Sequence, residues 1–400
     1  MKSFSVSDEL ALFGGRPVIQ KPLAAYNSIG PEEVAALEAV GRTGKLSGFI
    51  GAWCDEFGGG PMVQAFEEAW RKRFGVRHAV SVNSNTSGLI AALGAIGLSP
   101  GDEVIVPPMT MSATVMAPLI YGGIPVFVDM ESETFCLDIE KVAEAITSKT
   151  RAILVVDLFG HPAELAQLRT LADERGIYLI EDAAQAMGGE TADGKPVGSI
   201  GDLTCHSFYP SKNLGGFGDG GMVVGDDRKL TGTVRLLRNH GADSTYSHRF
   251  VGGNFRLDAL QASVLCAKLP HLDTFLKGRT MAAKRYRRLF TEYAAGLPIR
   301  LPEDVPGHSY NQFVIRAAHR DDLRVHLNKH GIGNAIYYPR PLHMQECFAH
   351  LGLNSGDLPV SEKAAEETLA IPIFPEINID QQREVVEACV HFYAQMTASK

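Results

Sequence analysis

Between residues 79 and 225 the sequence alternates short apolar segments with segments of helical periodicity. The helical patterns occupy residues 86–96, 139–146 and 164–175 and lie between several of the apolar segments. Such alternation is typical of an α/β fold in which helices cover both faces of a mainly parallel sheet. We therefore predict a seven-stranded sheet, with strands at residues 79–83, 103–107, 124–129, 152–158, 178–181, 203–208 and 221–224.

The rest of the chain predicts a division into three parts. Residues 1–30 are irregular and are interpreted as an N-terminal arm, and residues 31–265 hold the sheet and its helices in a large domain. Residues 266–400 are expected to form a smaller C-terminal α+β domain. This expectation rests on predicted helices at residues 258–268, 279–294, 321–330 and 381–394 and on a predicted strand at 311–317.

Composition argues against several classes of protein. The 400 residues are 45% hydrophobic, enough for a large core, and carry a formal net charge of -8 at pH 7. A negative charge without a basic cluster argues against nucleic acid or a membrane as partner. No apolar segment of signal-peptide length stands at the N-terminus, so a cytoplasmic protein is expected. The six cysteines form no CxxC pair and the histidines no HExxH pattern, so neither disulfides nor a metal site is predicted.

Polar residues follow the first and fifth predicted strands. In parallel sheets, ligands bind beyond the carboxyl ends of the strands. Ser84, Thr86 and Ser87 stand at a helix start, where free N–H groups attract phosphate. Asp182 ends a buried strand, and a buried carboxylate is costly unless it pairs with a cation, such as a protonated pyridine nitrogen. An ordinary helix cap is the alternative interpretation at both places.

Lys212 follows the sixth strand and precedes a glycine-rich segment, residues 215–221. A lysine held in tight surroundings can form a Schiff base with an aldehyde cofactor and move protons. The alternative is a solvated lysine beside a flexible turn. Consecutive glycines let the backbone approach another group closely, and we expect that group to be the cofactor. A phosphate cradle, a buried acid and a lysine at one sheet edge are the contacts that pyridoxal 5'-phosphate (PLP) requires.

Six short motifs follow one another along residues 60–343. They are GPMVQAFE at 60–67, EDAAQ at 181–185, SFYPSKN at 207–213, RNHG at 238–241, NFRLD at 254–258 and YYPRPLH at 337–343. In this order they resemble the motifs of the DegT/DnrJ/StrS family of sugar aminotransferases. The resemblance implies the PLP-dependent fold-type I architecture, with PLP as cofactor.

The resemblance also implies a role for each matching residue at the cofactor. Lys212 would bind PLP as an internal aldimine and would move the proton between the amine carbon and the cofactor. Asp182 would pair with the pyridinium nitrogen. The other cofactor contacts would be Gln185 on the ring hydroxyl, Met111 on the ring face, and Thr86, Ser87 and Ser207 on the phosphate.

Three further residues concern the partner subunit and the substrate. In the family, the asparagine matching Asn254 reaches the phosphate of the neighbouring subunit, which implies a homodimer with shared active sites. Tyr338 and His343 belong to the C-terminal motif, which the resemblance places near the sugar. The partners implied are therefore a keto-sugar, an amino-acid amine donor and a second copy of the chain.

The sequence departs from the family pattern at four places. Met111 stands where an aromatic residue usually stacks on the ring, Asn85 where glycine is common in the phosphate loop, and Asp157 where histidine is frequent. Residues 48–61 form a longer segment than the family has. With Trp53 and Phe57 it could be a substrate lid or interface packing, and the sequence favours neither.

The resemblance predicts an enzyme that converts a keto-sugar, nucleotide-linked in this prediction, to an amino-sugar. Glutamate or glutamine would donate the amine in a ping-pong mechanism. One alternative is a sugar dehydratase of the same fold, but that branch has histidine in place of the lysine at position 212. Another is a non-catalytic regulator, although every position that the chemistry needs is filled. A nicotinamide dehydrogenase is rejected, because glycines 216, 218 and 220 open no helix.

Overall fold

The computed structural model describes residues 29–49 and 55–398 of the chain. A seven-stranded sheet in the order β1-β7-β6-β5-β4-β2-β3 forms its centre. β7 runs antiparallel to both of its neighbours, and the other pairs are parallel. The predicted mainly parallel sheet is thus confirmed. Its strands are β1 (His78–Val82), β2 (Glu103–Val106), β3 (Ile124–Phe127), β4 (Thr150–Val156), β5 (Tyr178–Asp182), β6 (Leu203–Ser207) and β7 (Gly221–Gly225).

Helices bury both faces of this sheet. Along β4, Leu154 packs in one apolar cluster with Leu89, whereas Ile153 and Val155 pack in another with Leu168. Successive strand residues point to opposite faces, so a continuous apolar strand requires cover on each side. The helices of this part are α1 (Pro31–Thr43), α2 (Gly60–Phe74), α3 (Asn85–Ala95), α4 (Ala113–Leu119), α5 (Ile139–Ala145), α6 (Leu165–Arg175), α7 (Arg228–Leu237) and α8 (Ala259–Lys268).

A second, antiparallel sheet lies in the C-terminal part. Its strands β10 (Ile299–Arg300), β11 (Phe313–Ala317) and β12 (Thr368–Ile371) pack with helices around a separate core. The helices there are α9 (Leu272–Tyr293), α10 (Arg320–Lys329), α11 (Pro359–Glu367) and α12 (Ile379–Ala398), and a hairpin of β8 (Ala242–Ser244) and β9 (Ser247–His248) precedes them in the chain. This agrees with the predicted α+β character. The boundary at residue 265 stays a prediction.

α9 begins seven residues before the predicted start at residue 279. The helix runs through Gly278, although glycine is a poor helix former in a helix interior. In the structure a Cβ at Gly278 would lie 2.7 Å from the carbonyl oxygen of Pro375. The glycine is therefore explained by close packing inside a continuous helix, a contact that the local sequence does not reveal.

Several predictions concern residues outside the described ranges. The predicted N-terminal arm falls there except for its last two residues, and so does Trp53 of the 48–61 segment. Within residues 29–49 and 55–398, no helix has both the length and the apolar character that crossing a membrane requires. The same residues contain no group of three side chains arranged to hold a metal ion.

Candidate active site

The carboxyl ends of β2, β4, β5 and β6 open into a cavity of about 460 Å³. Its size lies within the range of small-molecule sites. The cavity stands at the sheet edge where ligands of parallel sheets are expected. Seven of the ten predicted site residues line it: Thr86, Met111, Asp182, Gln185, Ser207, Lys212 and Tyr338.

Lys212 lies in the turn that follows β6. Its backbone N–H donates to the carbonyl of Tyr209 at 2.8 Å, and the N–H of Gly216 donates to the carbonyl of Phe208 at 2.7 Å. Burial lowers the pKa of Lys212 to about 8, while the negative charge of Asp182 opposes that shift. More of the side chain is therefore neutral near pH 7 than for an exposed lysine, and the neutral amine is the form that attacks a carbonyl.

Asp182 is the last residue of β5, and three donors orient its carboxylate. Oδ1 accepts hydrogen bonds from Nδ2 of Asn85 at 2.9 Å and from the N–H of Ala184 at 3.2 Å, and Oδ2 accepts one from the hydroxyl of Thr114 at 3.1 Å. Burial raises the pKa of Asp182, although these hydrogen bonds and the charge of Lys212 oppose the rise. The result is a fixed acceptor suited to a cationic partner.

The turn between β1 and α3 contributes the start of a helix to the cavity. Ser84 caps α3, because its Oγ accepts a hydrogen bond from the N–H of Ser87 at 3.1 Å. Ser84 and Thr86 line the cavity. The hydroxyl of Ser87 donates to Oδ1 of Asn83 at 2.6 Å, so it belongs to the turn and does not line the cavity. Its predicted contact with a phosphate stays a prediction.

Gln185 and Tyr338 meet at the side of the cavity. Oε1 of Gln185 accepts a hydrogen bond from the N–H of Phe159 at 2.6 Å, and its Nε2 lies 3.4 Å from the hydroxyl of Tyr338. Burial raises the pKa of Tyr338, and the charge of Asp182 adds to the rise, so its hydroxyl remains protonated. Met111 lies at the cavity with 60% of its surface exposed.

His343 does not line this cavity. The N–H of Leu342 donates to the carbonyl of Pro108 at 2.7 Å and so joins a short turn, Leu342–Met344, to the loop after β2. His343 is buried in that turn, with its Nε2 3.1 Å from Oε1 of Glu362 and its ring beside Phe127. Its predicted contact with the sugar stays a prediction.

Asn254 is exposed and also lies outside this cavity. Its Oδ1 accepts a hydrogen bond from Nε of Arg256 at 2.8 Å, and its carbonyl accepts one from Nδ2 of Asn83 at 3.1 Å. The second contact joins the chain around Asn254 to the turn before α3. Its predicted role in the neighbouring subunit stays a prediction.

Three residues of the site were missed by the sequence reasoning or given another role. Asn85, noted above only as a departure from the glycine common in the phosphate loop, donates to Asp182. Thr114 is a polar residue in the short apolar helix α4, and that contrast could have marked it. Gln312 lines the cavity and has a buried Oε1 without a partner among the described residues. It directly precedes β11, a strand far along the chain, so no local signal indicated it.

Two family motifs join in a buried ion cluster rather than in the cavity. Glu67 of α2 accepts hydrogen bonds from Nη1 of Arg238 at 2.5 Å and from Nη1 of Arg235 at 2.8 Å. It also accepts from the N–H and the hydroxyl of Ser81, both at 3.0 Å. Burial would raise the pKa of Glu67, but the charges of the two arginines and the hydrogen bond from the N–H of Ser81 together outweigh it, and the pKa is lowered. The cluster therefore fixes the end of β1 that leads to Ser84.

The described part of the 48–61 segment is anchored to this cluster. Phe49 is buried, and the guanidinium of Arg238 lies 4.8 Å from the centre of its ring. The carbonyl of Phe49 accepts a hydrogen bond from Arg256 at 3.2 Å. These contacts explain how the segment is attached. The lid and the interface packing both stay predictions.

The residues at the cavity fit PLP. Lys212 offers an amine of lowered pKa, and Asp182 a fixed carboxylate for a cationic ring nitrogen. The start of α3 and the hydroxyl of Ser207 offer donors to a phosphate. A buried Oδ1 of Asn85 has no partner among the described residues and can accept a further hydrogen bond. All of these groups meet in one cavity of suitable size.

Comparisons with known proteins find relatives along most of the chain. A pleiotropic regulatory protein of Geobacillus stearothermophilus is 39% identical over 370 residues, which cover 92% of this chain and 96% of that protein. A UDP-N-acetyl-3-dehydro-alpha-D-glucosamine 3-aminotransferase of Acidithiobacillus ferrooxidans is 45% identical over 309 residues, covering 77% and 82% of the two chains.

The architecture is also that of solved aminotransferases. The crystal structure of S. venezuelae DesV in complex with a ketimine intermediate superposes with a TM-score of 0.83 at 39% identity, covering 90% of this chain and 94% of that chain. The predicted fold-type I architecture is thus confirmed. The DegT/DnrJ/EryC1/StrS aminotransferase family model matches residues 52–390. This chain therefore belongs to the DegT/DnrJ/EryC1/StrS aminotransferase family.

Proposed function

We propose that this chain is a PLP-dependent aminotransferase that converts a nucleotide-linked keto-sugar to an amino-sugar, with glutamate or glutamine as amine donor. The observation that carries the proposal is the meeting of Lys212, Asp182 and the start of α3 in one cavity. Each group alone has an ordinary structural explanation. The convergence of all three groups at one sheet edge, in the order of the family's motifs, has no such ordinary explanation.

Lys212 and Asp182 would have separate roles at the cofactor. When bound, PLP supplies an electron sink for the electrons left behind as a proton leaves the carbon that carries the amine. Asp182 would keep the ring nitrogen protonated, since its carboxylate is held by three donors and faces the cavity. The amine of Lys212 would take up and return the proton, because a base with a pKa of about 8 exchanges protons readily near neutral pH.

The remaining contacts would position the cofactor. Ser84, Thr86 and Ser207 would bind the phosphate together with the N–H groups at the start of α3. Gln185 would bond the ring hydroxyl, and Met111 would pack on the ring face. A thioether is smaller and more flexible than an aromatic ring, so the ring face is expected to be less tightly covered here than in the family's usual pattern.

The nature of the sugar is inferred from the relatives. The relative of A. ferrooxidans is named for a UDP-linked 3-dehydro-sugar. Tyr338 and Gln312 line the cavity and would contact such a substrate. His343 could reach it only through a rearrangement of its turn, because its ring is enclosed between Glu362 and Phe127.

We also propose a homodimer with shared active sites. Asn254 is exposed, and two apolar neighbours in the same part of the chain, Tyr246 and Val251, are 89% and 96% exposed. Exposed apolar side chains beside a polar contact residue are typical of an interface. Mixing the inactive variants Lys212→Ala and Asn254→Ala should restore part of the activity, since one site of the hybrid dimer would be intact. Lack of any recovery in a proven hybrid would contradict shared sites.

A second candidate function is a regulator, because one relative carries that name. The described residues argue for catalysis, since the amine, the acid and the phosphate cradle are all present. A dehydratase is disfavoured because Lys212 stands where that branch has histidine. The cytoplasmic location stays a prediction.

Spectral half-reactions would test the proposed function. The purified holoenzyme is expected to be yellow, and glutamate or glutamine should bleach that colour as the amine passes to the cofactor. A panel of nucleotide-linked keto-sugars should then restore it. A stable colour in the presence of every amine donor would contradict the aminotransferase and favour the regulator.

A further inference from the structure

The glycine-rich segment after Lys212 is packed against α8. A Cβ at Gly216 would lie 2.8 Å from Oε1 of Gln261, and one at Gly218 would lie 2.9 Å from Nε2 of the same side chain. A Cβ at Gly215 would lie 2.3 Å from the carbonyl oxygen of Pro210. The expectation that these glycines make room for the cofactor is therefore wrong at these positions. They make room for α8 and for the turn itself.

Two polar side chains of α8 bind the backbone of this segment. Oε1 of Gln261 accepts a hydrogen bond from the N–H of Phe217 at 2.9 Å, and Nζ of Lys268 donates to the carbonyl of Gly215 at 2.5 Å. The two residues are seven positions apart, two helical turns, and so lie on one face of the helix. Together they hold the segment at two successive points.

Lys268 is unusual because only 1% of its surface is exposed. Burial lowers the pKa of Lys268, while the charges of Glu33 and Glu376 oppose the shift. A buried lysine is costly unless hydrogen bonds compensate it. An apolar residue would fill this place at lower cost, so the hydrogen bond to Gly215 and the charges of Glu33 and Glu376 together give reasons for a lysine.

α8 is itself firmly attached to the large sheet. Asp258 caps it by accepting a hydrogen bond from the N–H of Gln261 at 2.8 Å. Ala262 and Leu265 pack in the apolar cluster that contains Phe208, the residue directly after β6. The helix can therefore act as a rigid support for the segment.

The supported segment is closely connected to Lys212. Gly215 lies three residues after the lysine, and the N–H of Gly216 donates to the carbonyl of Phe208 across the turn. A displacement of Gly215 would therefore be transmitted along this turn to the backbone of Lys212. A reacting amine must be held to within about 0.5 Å of its productive position, so small displacements matter.

We propose that Lys268 and Gln261 are positioning residues for Lys212, acting through the backbone of residues 215–217. The proposal rests on the proposed function, in which Lys212 binds the cofactor. Neither residue lines the cavity, and neither is expected to contact the cofactor or the sugar.

Lys268→Met tests the proposal, because methionine keeps an unbranched apolar chain and removes the donor. Lys268→Arg restores a donor, and Lys277→Met, at an exposed position of α9, is the matched control. In the cofactor-free protein, amide exchange of residues 213–219 should become about tenfold faster in Lys268→Met, through more frequent local opening. The rate at which borohydride fixes added PLP on Lys212 should fall about tenfold in parallel. Lys268→Arg should return the amide exchange rate and the trapping rate most of the way to their wild-type values. Lys277→Met should match the wild type in both rates.

Unchanged exchange and trapping in Lys268→Met would overturn the proposal. If that variant fails to fold, Gln261→Met provides the same test through the N–H of Phe217, with the same expected and contrary results. Absence of trapping in the wild type would contradict the proposed function instead. The exchange measurement would still decide whether α8 holds the segment.

Discussion

Glu67→Gln removes the negative charge at the centre of the buried cluster and leaves Arg238 charged. Arg238 is fully buried, and Nη1 of Arg238 also donates to the carbonyl of Ser81 at 2.9 Å. Removing one partner of a buried ion pair costs about 3–5 kcal/mol, mainly because the remaining charge is uncompensated. We therefore expect the free energy of unfolding to fall by about that amount.

Glu68→Gln is the matched control in the same helix. Glu68 pairs with Arg71 and Lys72, but its side chain is 46% exposed. Exposed pairs contribute only about 0.2–1 kcal/mol. Urea unfolding of both variants gives the two costs directly, and it is done at one protein concentration because the stability of the proposed dimer would depend on that concentration. Equal costs for Glu67→Gln and Glu68→Gln would refute the reasoning.

The pH dependence offers a further check on the same cluster. The pKa of Glu67 is lowered below its ordinary value of 4.5 in the folded protein. A lowered carboxylate pKa stabilises the folded state above the unfolded pKa, and the stabilisation is lost as pH falls through the folded pKa. The difference between wild type and Glu67→Gln should therefore be constant near pH 7 and shrink below about pH 4.5.

Three other predictions concern titratable groups at the sheet edge. Asp182→Asn should retain some cofactor and lose transamination, because the ring nitrogen would no longer stay protonated; full activity in steady-state assays would contradict this. The rate of PLP capture by the cofactor-free protein should rise with pH through about 8, since only neutral Lys212 reacts; a flat stopped-flow profile from pH 6 to 9 would contradict it. Burial is the first cause of the raised pKa of Asp157, and the charge of Glu181 is the second. The protonated acid therefore favours the folded state at low pH, and this contribution to stability is lost as pH rises. Asp157→Asn should therefore unfold at higher urea than wild type at pH 8 and not at pH 4, and a loss of stability at both would contradict this.

The sequence predicted those parts of the site that lie directly after strands. Asp182 ends one apolar strand and Lys212 follows the next, and because the two strands are parallel neighbours their carboxyl ends lie together, so the meeting of the two residues could be anticipated. The roles of Asn85 and Thr114 could not, because each contact joins α3 or α4 to β5 across a long stretch of chain. Such contacts depend on helix orientation, which periodicity does not determine.

The glycine-rich segment, residues 215–221, also shows what the local sequence leaves undetermined. The sequence indicated a close approach, and the structure contains one, but the group approached is Gln261 of α8. Local composition shows that space is needed and does not show what occupies it. The position of His343 was equally hidden, since its burial depends on Leu342 meeting Pro108 from a distant loop.

Borohydride reduction of the holoenzyme, followed by peptide mapping, tests the central claim most directly. We expect one modified peptide that carries the reduced cofactor on Lys212, together with loss of the yellow colour. Lys212→Ala should give no modified peptide while its far-UV spectrum stays unchanged. Cofactor fixed on another lysine, or fixed equally well in Lys212→Ala, would contradict the assignment of this cavity as the active site.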